Sequence, residues 1–331
     1  MHRRVTPRLA INLFSESVCM PHTYKIFIFI FVFVLLLPAQ SAFAANIAII
    51  TRKNILPYDA FVEGYQEAYK KHSLKKHALK VFFADPLNDS QDDPLAAQVS
   101  SFQPDLIIAV GTNSVKFAEL CCFNVPLIYS MVIDNRRTAD LKKPNQCGIS
   151  MEPDMHQRLQ VLLEFNKSAK RIGAVYNPSE SNDQLRELQQ AARQKNLVLD
   201  AIPVSSAKDA LPAIEAVVGR VDAFMLLFDK SLFVPQVVEF LFSCSFRSRV
   251  PVIGLSEKYT SLGSLFSVQY DVKDLGFEAW NHTAAFLSGD GVCTGLQKPT
   301  AAPRLFINKK IADKMGILIP AKLSEQCTFV E

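Results

Sequence analysis

The chain has 331 residues, 49% of them hydrophobic and 21% charged, with 36 Lys plus Arg against 32 Asp plus Glu for a formal charge of +4. That is enough chain for one large domain or two ordinary ones. It is too apolar and too evenly charged for a disordered chain, and it lacks the basic excess of a nucleic-acid-gripping surface.

The first element is an unbroken apolar run of 12 residues, Ile26 to Leu37. It is shorter than the roughly 20 residues needed to cross a bilayer. Lys25 precedes it, and Pro38 and then Ala42-Phe43-Ala44 follow, the pattern of a secretory signal peptide cleaved after Ala44. Met20 begins a more typical version, so residues 1–44 read as signal peptide with a true start at either Met1 or Met20. Beyond it lie Cys121, Cys122, Cys147, Cys244, Cys293 and Cys327. Export permits disulfides, the spacing matches no zinc pattern, and the pairing stays open.

Past Ala44, short apolar runs alternate with amphipathic stretches. Strands are expected at 46–50, 79–83, 106–110, 126–131 and 147–151. Helices are expected between them at 58–71, 94–102 and 114–122. The alternation restarts with helices at 155–165, 183–195, 207–218 and 235–244, and strands at 172–176, 197–204, 223–228 and 250–253. A strand at 265–268, a helix at 275–287 and a closing segment from Arg304 complete the chain. Alternation of this kind with nearly continuous apolar strands means parallel sheets covered on both faces. The restart divides the chain into two α/β lobes.

Ligands of open parallel sheets sit beyond the carboxyl ends of the strands. That rule selects Thr112, Asn113 and Ser114 after the third strand and Ser130 after the fourth. In the second lobe it selects Asn177, Ser179 and Ser181, then Asp229 and Ser231, then Ser256 and Glu257. Hydroxyls and free N–H groups at helix starts hold anions, although the same residue types also serve as ordinary N-caps.

At this point the chain resembles the substrate-binding proteins of ABC transporters with the type I periplasmic-binding-protein fold, in the branch that includes tryptophan- and tyrosine-binding members. The resemblance is carried by Tyr58-Asp-Ala-Phe-Val-Glu-Gly-Tyr65, Pro104-Asp-Leu-Ile-Ile-Ala-Val-Gly-Thr112, Val125-Pro-Leu-Ile-Tyr-Ser130 and Arg171-Ile-Gly-Ala-Val-Tyr-Asn-Pro178. Arg249-Val-Pro-Val-Ile-Gly254, Tyr270-Asp-Val-Lys-Asp-Leu-Gly276 and the stretch from Ile307 to Pro320 extend it. It implies two Rossmann-like lobes joined by three crossovers and closing by a hinge over a small polar ligand such as an amino acid. Lobe one would be 45–151 plus about 265–290, and lobe two 152–264 plus about 291–331. The family's ligand loops fall on the residues named above, with Asp271 near hinge and cleft. In that site the helix-start hydroxyls would take a carboxylate, and Asp229 or Glu257 an ammonium. The topology would also bring Cys121 or Cys122 toward Cys147, a bridge that needs Cα atoms within about 7 Å.

No G-x-S-x-G elbow, G-x-G-x-x-G, Walker motif or H-E-x-x-H is present, and no histidine is paired with a nucleophile. The expectation is therefore a periplasmic, monomeric solute receptor with no catalytic residues, cofactor or metal. Its partners would be a small-molecule ligand and an inner-membrane ABC permease, with no nucleic acid. An exported sensor or scaffold signalling to a membrane partner is the alternative, and an enzyme on the same scaffold a more distant one.

Overall fold

The structure, a computed structural model, describes residues 44–73, 77–84, 94–122, 124–132, 145–232, 234–291 and 293–330. The expected signal segment lies outside these residues apart from Ala44. From Ala44 onward the chain forms one compact unit.

The first half runs β1 (Asn46–Thr51), α1 (Leu56–His72), β2 (Ala78–Phe83), α2 (Pro94–Phe102), β3 (Leu106–Val110), α3 (Thr112–Cys121), β4 (Leu127–Ser130) and β5 (Gln146–Ile149). The second continues with α4 (Met155–Phe165), β6 (Arg171–Tyr176), α5 (Pro178–Gln194), β7 (Val198–Pro203), α6 (Ala207–Val218), β8 (Ala223–Met225), α7 (Pro235–Ser248), β9 (Val252–Gly254), α8 (Glu257–Leu262) and β10 (Phe266–Gln269). The chain ends with α9 (Val272–Ala285), β11 (Gly295–Gln297), β12 (Arg304–Asn308), α10 (Lys309–Met315), α11 (Ala321–Ser324) and β13 (Cys327–Val330).

Two sheets result. The first has the order β11-β5-β4-β3-β1-β2 and is parallel throughout; the second has the order β13-β12-β10-β9-β8-β6-β7. In the second, β12 runs antiparallel to β10. Strands such as Leu-Ile-Ile-Ala-Val at β3 are buried along their whole length. The reason is that helices cover both faces, so no polar face is needed. On the first sheet, Ile47, Ile49 and Ile108 pack under α1 and α9, while Ile50, Ile107 and Ala109 pack against Val99, Val115 and Ala118 on the opposite face.

The lobe boundaries differ from the sequence expectation at two places. Phe266–Gln269 belongs to the second sheet, beside β9 and β12, and not to lobe one. Gly295–Gln297 belongs to the first sheet, paired with Cys147–Ile149, and not to lobe two. β10 is held between β9 and β12 and β11 takes the open edge beside β5, pairings that the periodicity of either short segment does not reveal. The three crossovers are consequently residues 150–154, 270–271 and 298–303.

The cystine also differs from expectation. Cys147 is bridged to Cys293, with Cα atoms 5.1 Å apart, and among the described residues Cys122, Cys244 and Cys327 are thiols outside any bridge. The physical reason is register: Gly295 is the partner of Cys147 across the β11–β5 pair, so the chain entering β11 brings Cys293 to the strand. Cys121 and Cys122 instead pack on the other face of the first sheet.

α9 crosses α1 closely because each contributes a glycine. A Cβ at Gly64 would press into the Lys273 carbonyl, and one at Gly276 into the Phe61 carbonyl. Trp280 then sits edge-on to both Tyr65 and Tyr69, with ring centroids 5.9 and 5.4 Å away. This contact fixes the segment that follows the second crossover onto the first lobe.

Candidate functional site

The loops at the carboxyl ends of the strands divide into those whose polar groups are already engaged and those that face open space. Asp229 belongs to the first kind. It is buried, at 3% exposure. Its Oδ2 accepts the Asn177 backbone N–H at 2.9 Å and the Ser181 hydroxyl at 2.9 Å. Its Oδ1 accepts the Ser231 N–H, the Ser231 hydroxyl and the Leu232 N–H at 3.1, 2.7 and 3.1 Å. Asn177 caps α5, its Oδ1 accepting from Ser179 N–H at 3.0 Å, while its amide donates to Ser231. Asn177, Ser179, Ser181, Asp229 and Ser231 therefore form one internal knot, as the capping residues of a helix start do. Asp229 has no oxygen left to serve as the free ammonium acceptor expected from the sequence.

In the first lobe, Ser130 donates to the Ile149 carbonyl at 3.1 Å. Thr112 and Asn113 are half-buried at the start of α3, and the Ser114 hydroxyl is buried without a hydrogen-bond partner. Asp271 caps α9 through Lys273 N–H at 2.8 Å and pairs with Arg304 at 2.9 Å. It fastens the second crossover to β12.

A cavity of about 380 Å³ opens between the lobes. Pro57 and Met131 come from the first lobe and Val272 and Leu275 from α9 packed on it, while Phe228 and Leu255 to Tyr259 come from the second. The first crossover supplies Met151, Glu152 and Pro153, α4 supplies Arg158, the end of β10 supplies Gln269 and the second crossover Tyr270. Among the residues expected from sequence, Ser256 and Glu257 line it, and Asp271 lies between two lining neighbours. Met131 has a left-handed backbone, φ 60°. That conformation is uncommon for a long side chain and is found where the surroundings impose it, often at ligand sites. Gln269 holds the α8 end of the wall, its Oε1 accepting the Glu257 N–H at 2.9 Å.

Most of the wall is apolar, which makes the charges within it conspicuous. Arg158 is 2% exposed, and its Nε has no hydrogen-bond partner. Burial draws its pKa down, and the fields of Glu152 and Glu187 oppose this. Glu152 is pushed above the ordinary carboxylate range, first by burial, with Arg158 opposing and Glu187 adding to the rise. Both Glu152 oxygens accept from the Gln184 amide at 3.1 Å, and Gln184 Oε1 accepts the Phe228 N–H at 2.7 Å. One glutamine thus ties the first crossover to the loop after β8. Burial also raises the phenols of Tyr259 and Tyr270, so both are neutral donors at physiological pH.

Sequence reasoning passed over Arg158 and Glu152. A signal for Arg158 was available: Met155, Leu159 and Leu162 are the buried stripe of α4, and position 158 falls on that stripe. A charge placed on the core face of a helix is the exception that points to a partner.

The family model described as ABC transporter substrate binding protein matches residues 46–330. A tyrosine-binding protein of Clostridioides difficile is 25% identical over 222 residues, which is 65% of this chain and 64% of that protein, so less than two thirds of the relative's length is matched. The ligand-free, open structure of a substrate binding protein with adhesive properties from Clostridium difficile superposes with a TM-score of 0.71 at 20% identity, over 87% of this chain and 99% of that one. An ABC domain in complex with L-Trp from Streptococcus pneumoniae gives 0.60 at 22% identity, over 87% and 100%. These structures share the two-lobed α/β fold of periplasmic binding proteins of the type I class.

Proposed function

The chain belongs to the ABC transporter substrate-binding protein family, and on that premise we propose that it is the solute receptor of an importer for an aromatic amino acid. The observation that carries this reading is the interlobe cavity of about 380 Å³, walled by Met131, Met151, Phe228, Leu255, Tyr259 and Tyr270 around a small number of charged groups. Its size and its mostly apolar lining with few polar groups are those of small-molecule sites, for which roughly 300–1,000 Å³ is typical. The tyrosine-binding relative and the L-Trp-bound neighbour support the ligand class.

The receptor works by population shift. A ligand that touches both walls favours the closed arrangement by its differential affinity, while the three crossovers bend. No bond is made or broken. The closed form is then read by an inner-membrane permease. The apolar run before Ala42-Phe43-Ala44 directs the chain through the membrane, leaving a monomer in the periplasm.

The test is a thermal-shift and calorimetric screen of protein stripped of ligand by unfolding and refolding. Its panel holds the aromatic amino acids, small polar amino acids, sugars and nucleosides. Ligand at 1,000 times its dissociation constant adds about 4 kcal/mol of stability, so L-tryptophan, L-tyrosine or L-phenylalanine should raise Tm by several degrees. A selective response to a sugar or nucleoside would overturn the amino-acid reading, and silence across the panel would favour signalling to a membrane partner over transport.

A further inference from the structure

We propose that Arg158 and Glu152 are the two polar readers of the interlobe cavity, Arg158 taking the free carboxylate of the ligand and Glu152 its ammonium, so that the site selects unblocked α-amino acids. This deepens the amino-acid reading and rests on it for the ligand class, but Arg158 can be tested apart from it.

The argument starts from what a core avoids. A guanidinium removed from water without a partner is strongly destabilising, and proteins place one there only when something else completes it. Arg158 is buried on the apolar stripe of α4, its Nε unpartnered, and it borders the one side of α4 where the cavity lies. Glu152 lines the same cavity and its field opposes the effect of burial on Arg158, while its oxygens accept from Gln184 and not from the guanidinium. A planar carboxylate entering the cavity satisfies the planar guanidinium directly, with short charge-assisted bonds. Lysine would not match that geometry.

The ammonium follows from the second charge. Gln184 orients Glu152 and leaves each carboxylate oxygen further acceptor capacity. Burial favours the neutral acid, and a cation placed beside it restores the ionised form. Two opposite charges facing one cavity, with Glu257 and Lys258 as the other charged lining residues on the second lobe, are complementary to a zwitterion whose side chain extends along Met131, Phe228 and Tyr259. An amide, a peptide bond or an amine lacking the carboxylate would leave Arg158 buried and unpaired, the kind of mismatch a polar site rejects most strongly.

The experiment compares wild type with Arg158→Met, Arg158→Lys and Glu152→Gln, using L-tryptophan and L-tyrosine, their amides, tryptamine and tyramine, and indole-3-propionate and 3-phenylpropionate. Calorimetry reads affinity, and melting without ligand reads folding. The expected result is that the amides and amines bind wild type at least about 10-fold more weakly than the amino acids, since a hydrogen bond to a charged group contributes about 1.5–3 kcal/mol. Arg158→Met should lose roughly 10- to 100-fold for amino acids and little for amines, with an unliganded Tm at or above that of wild type because a buried unpaired charge has gone. Arg158→Lys should fall between. Glu152→Gln should weaken amino acids and leave the propionates unchanged.

If amino acids bind but Arg158→Met retains wild-type affinity, the inference is wrong and the receptor reading stands. If no amino acid binds while the propionates do so in an Arg158-dependent way, the anchor stands and both the amino-acid reading and the role of Glu152 fail. Should Arg158→Met not fold, the amide and amine series on wild type decides: equal affinity for blocked and free forms overturns the inference.

Discussion

The Asp229 carboxylate accepts the backbone N–H of Asn177 at 2.9 Å, joining the loop after β8 to the start of α5. The two residues are 52 positions apart and look, in the sequence, like two separate ligand contacts. In the fold they are donor and acceptor to each other.

Asp229→Ala should therefore act on stability. It orphans the Asn177, Ser231 and Leu232 backbone donors and leaves the Ser181 hydroxyl only its longer bond to the Asn177 carbonyl. A buried donor left unsatisfied costs about 1–3 kcal/mol, so a fall in Tm of several degrees is expected at minimum. Melting without ligand checks it. An unchanged Tm together with a large loss of affinity would instead return Asp229 to the ligand site.

Gly276→Ala should loosen the contact between α9 and α1, because the new Cβ meets the Phe61 carbonyl and not a flexible side chain. Overpacking of this kind costs roughly 1–3 kcal/mol. A lowered denaturant midpoint is expected, and Trp280, which reports on this interface through Tyr65 and Tyr69, should shift its fluorescence in the native state. A native emission spectrum and an unmoved midpoint would contradict the close-crossing argument.

The cystine makes a chemical prediction. Denatured protein alkylated without reductant should carry label at Cys122, Cys244 and Cys327, and at Cys147 and Cys293 only after reduction. In the native state Cys122 should react slowly, since burial, helped by Cys121, pushes its thiol to about 11. Reduction should destabilise by about 2–4 kcal/mol, as the bridge closes a separation of 146 residues. Peptide mapping decides the pairing, and label on Cys147 before reduction would refute it.

Acid should weaken the hinge at Asp154. Lys298 Nζ lies 2.6 Å from its carboxylate, joining the first crossover to the third. Burial alone would raise the Asp154 pKa, but the hydrogen bonds from Lys298 and from the His156 N–H outweigh it and the net shift is downward from 3.8. A depressed folded value means that this stabilisation is present above the unfolded pKa and is lost as pH falls through the folded one. Asp154→Asn should thus lower Tm at pH 5–7 (about), with the gap to wild type closing as pH drops below about 3.8. A gap independent of pH would show that the ion pair contributes nothing.

The alternation of strands and helices from Asn46 onward was legible because both sheets are buried on both faces. Continuous apolar strands such as Leu106–Val110 leave a local signature, and the amphipathic helices between them leave another. The same local rule located Ser256 and Glu257 on the cavity wall. It also selected Asn177, Ser179, Ser181, Asp229 and Ser231, since the residues that cap a helix are the residues that bind an anion, and a linear pattern holds no record of which donors are already paired.

By itself, the sequence determined the α/β class, the two lobes and their mainly parallel sheets, though not the antiparallel β10–β12 pair, since the former follow from hydrophobic periods a few residues long. Only the tertiary structure decided that β10 and β11 exchange lobes, that Cys147 pairs with Cys293, and that Arg158 and Glu152 line one cavity. Those outcomes depend on contacts between segments far apart in the chain, where strand register and the accounting of buried hydrogen bonds act on the folded whole.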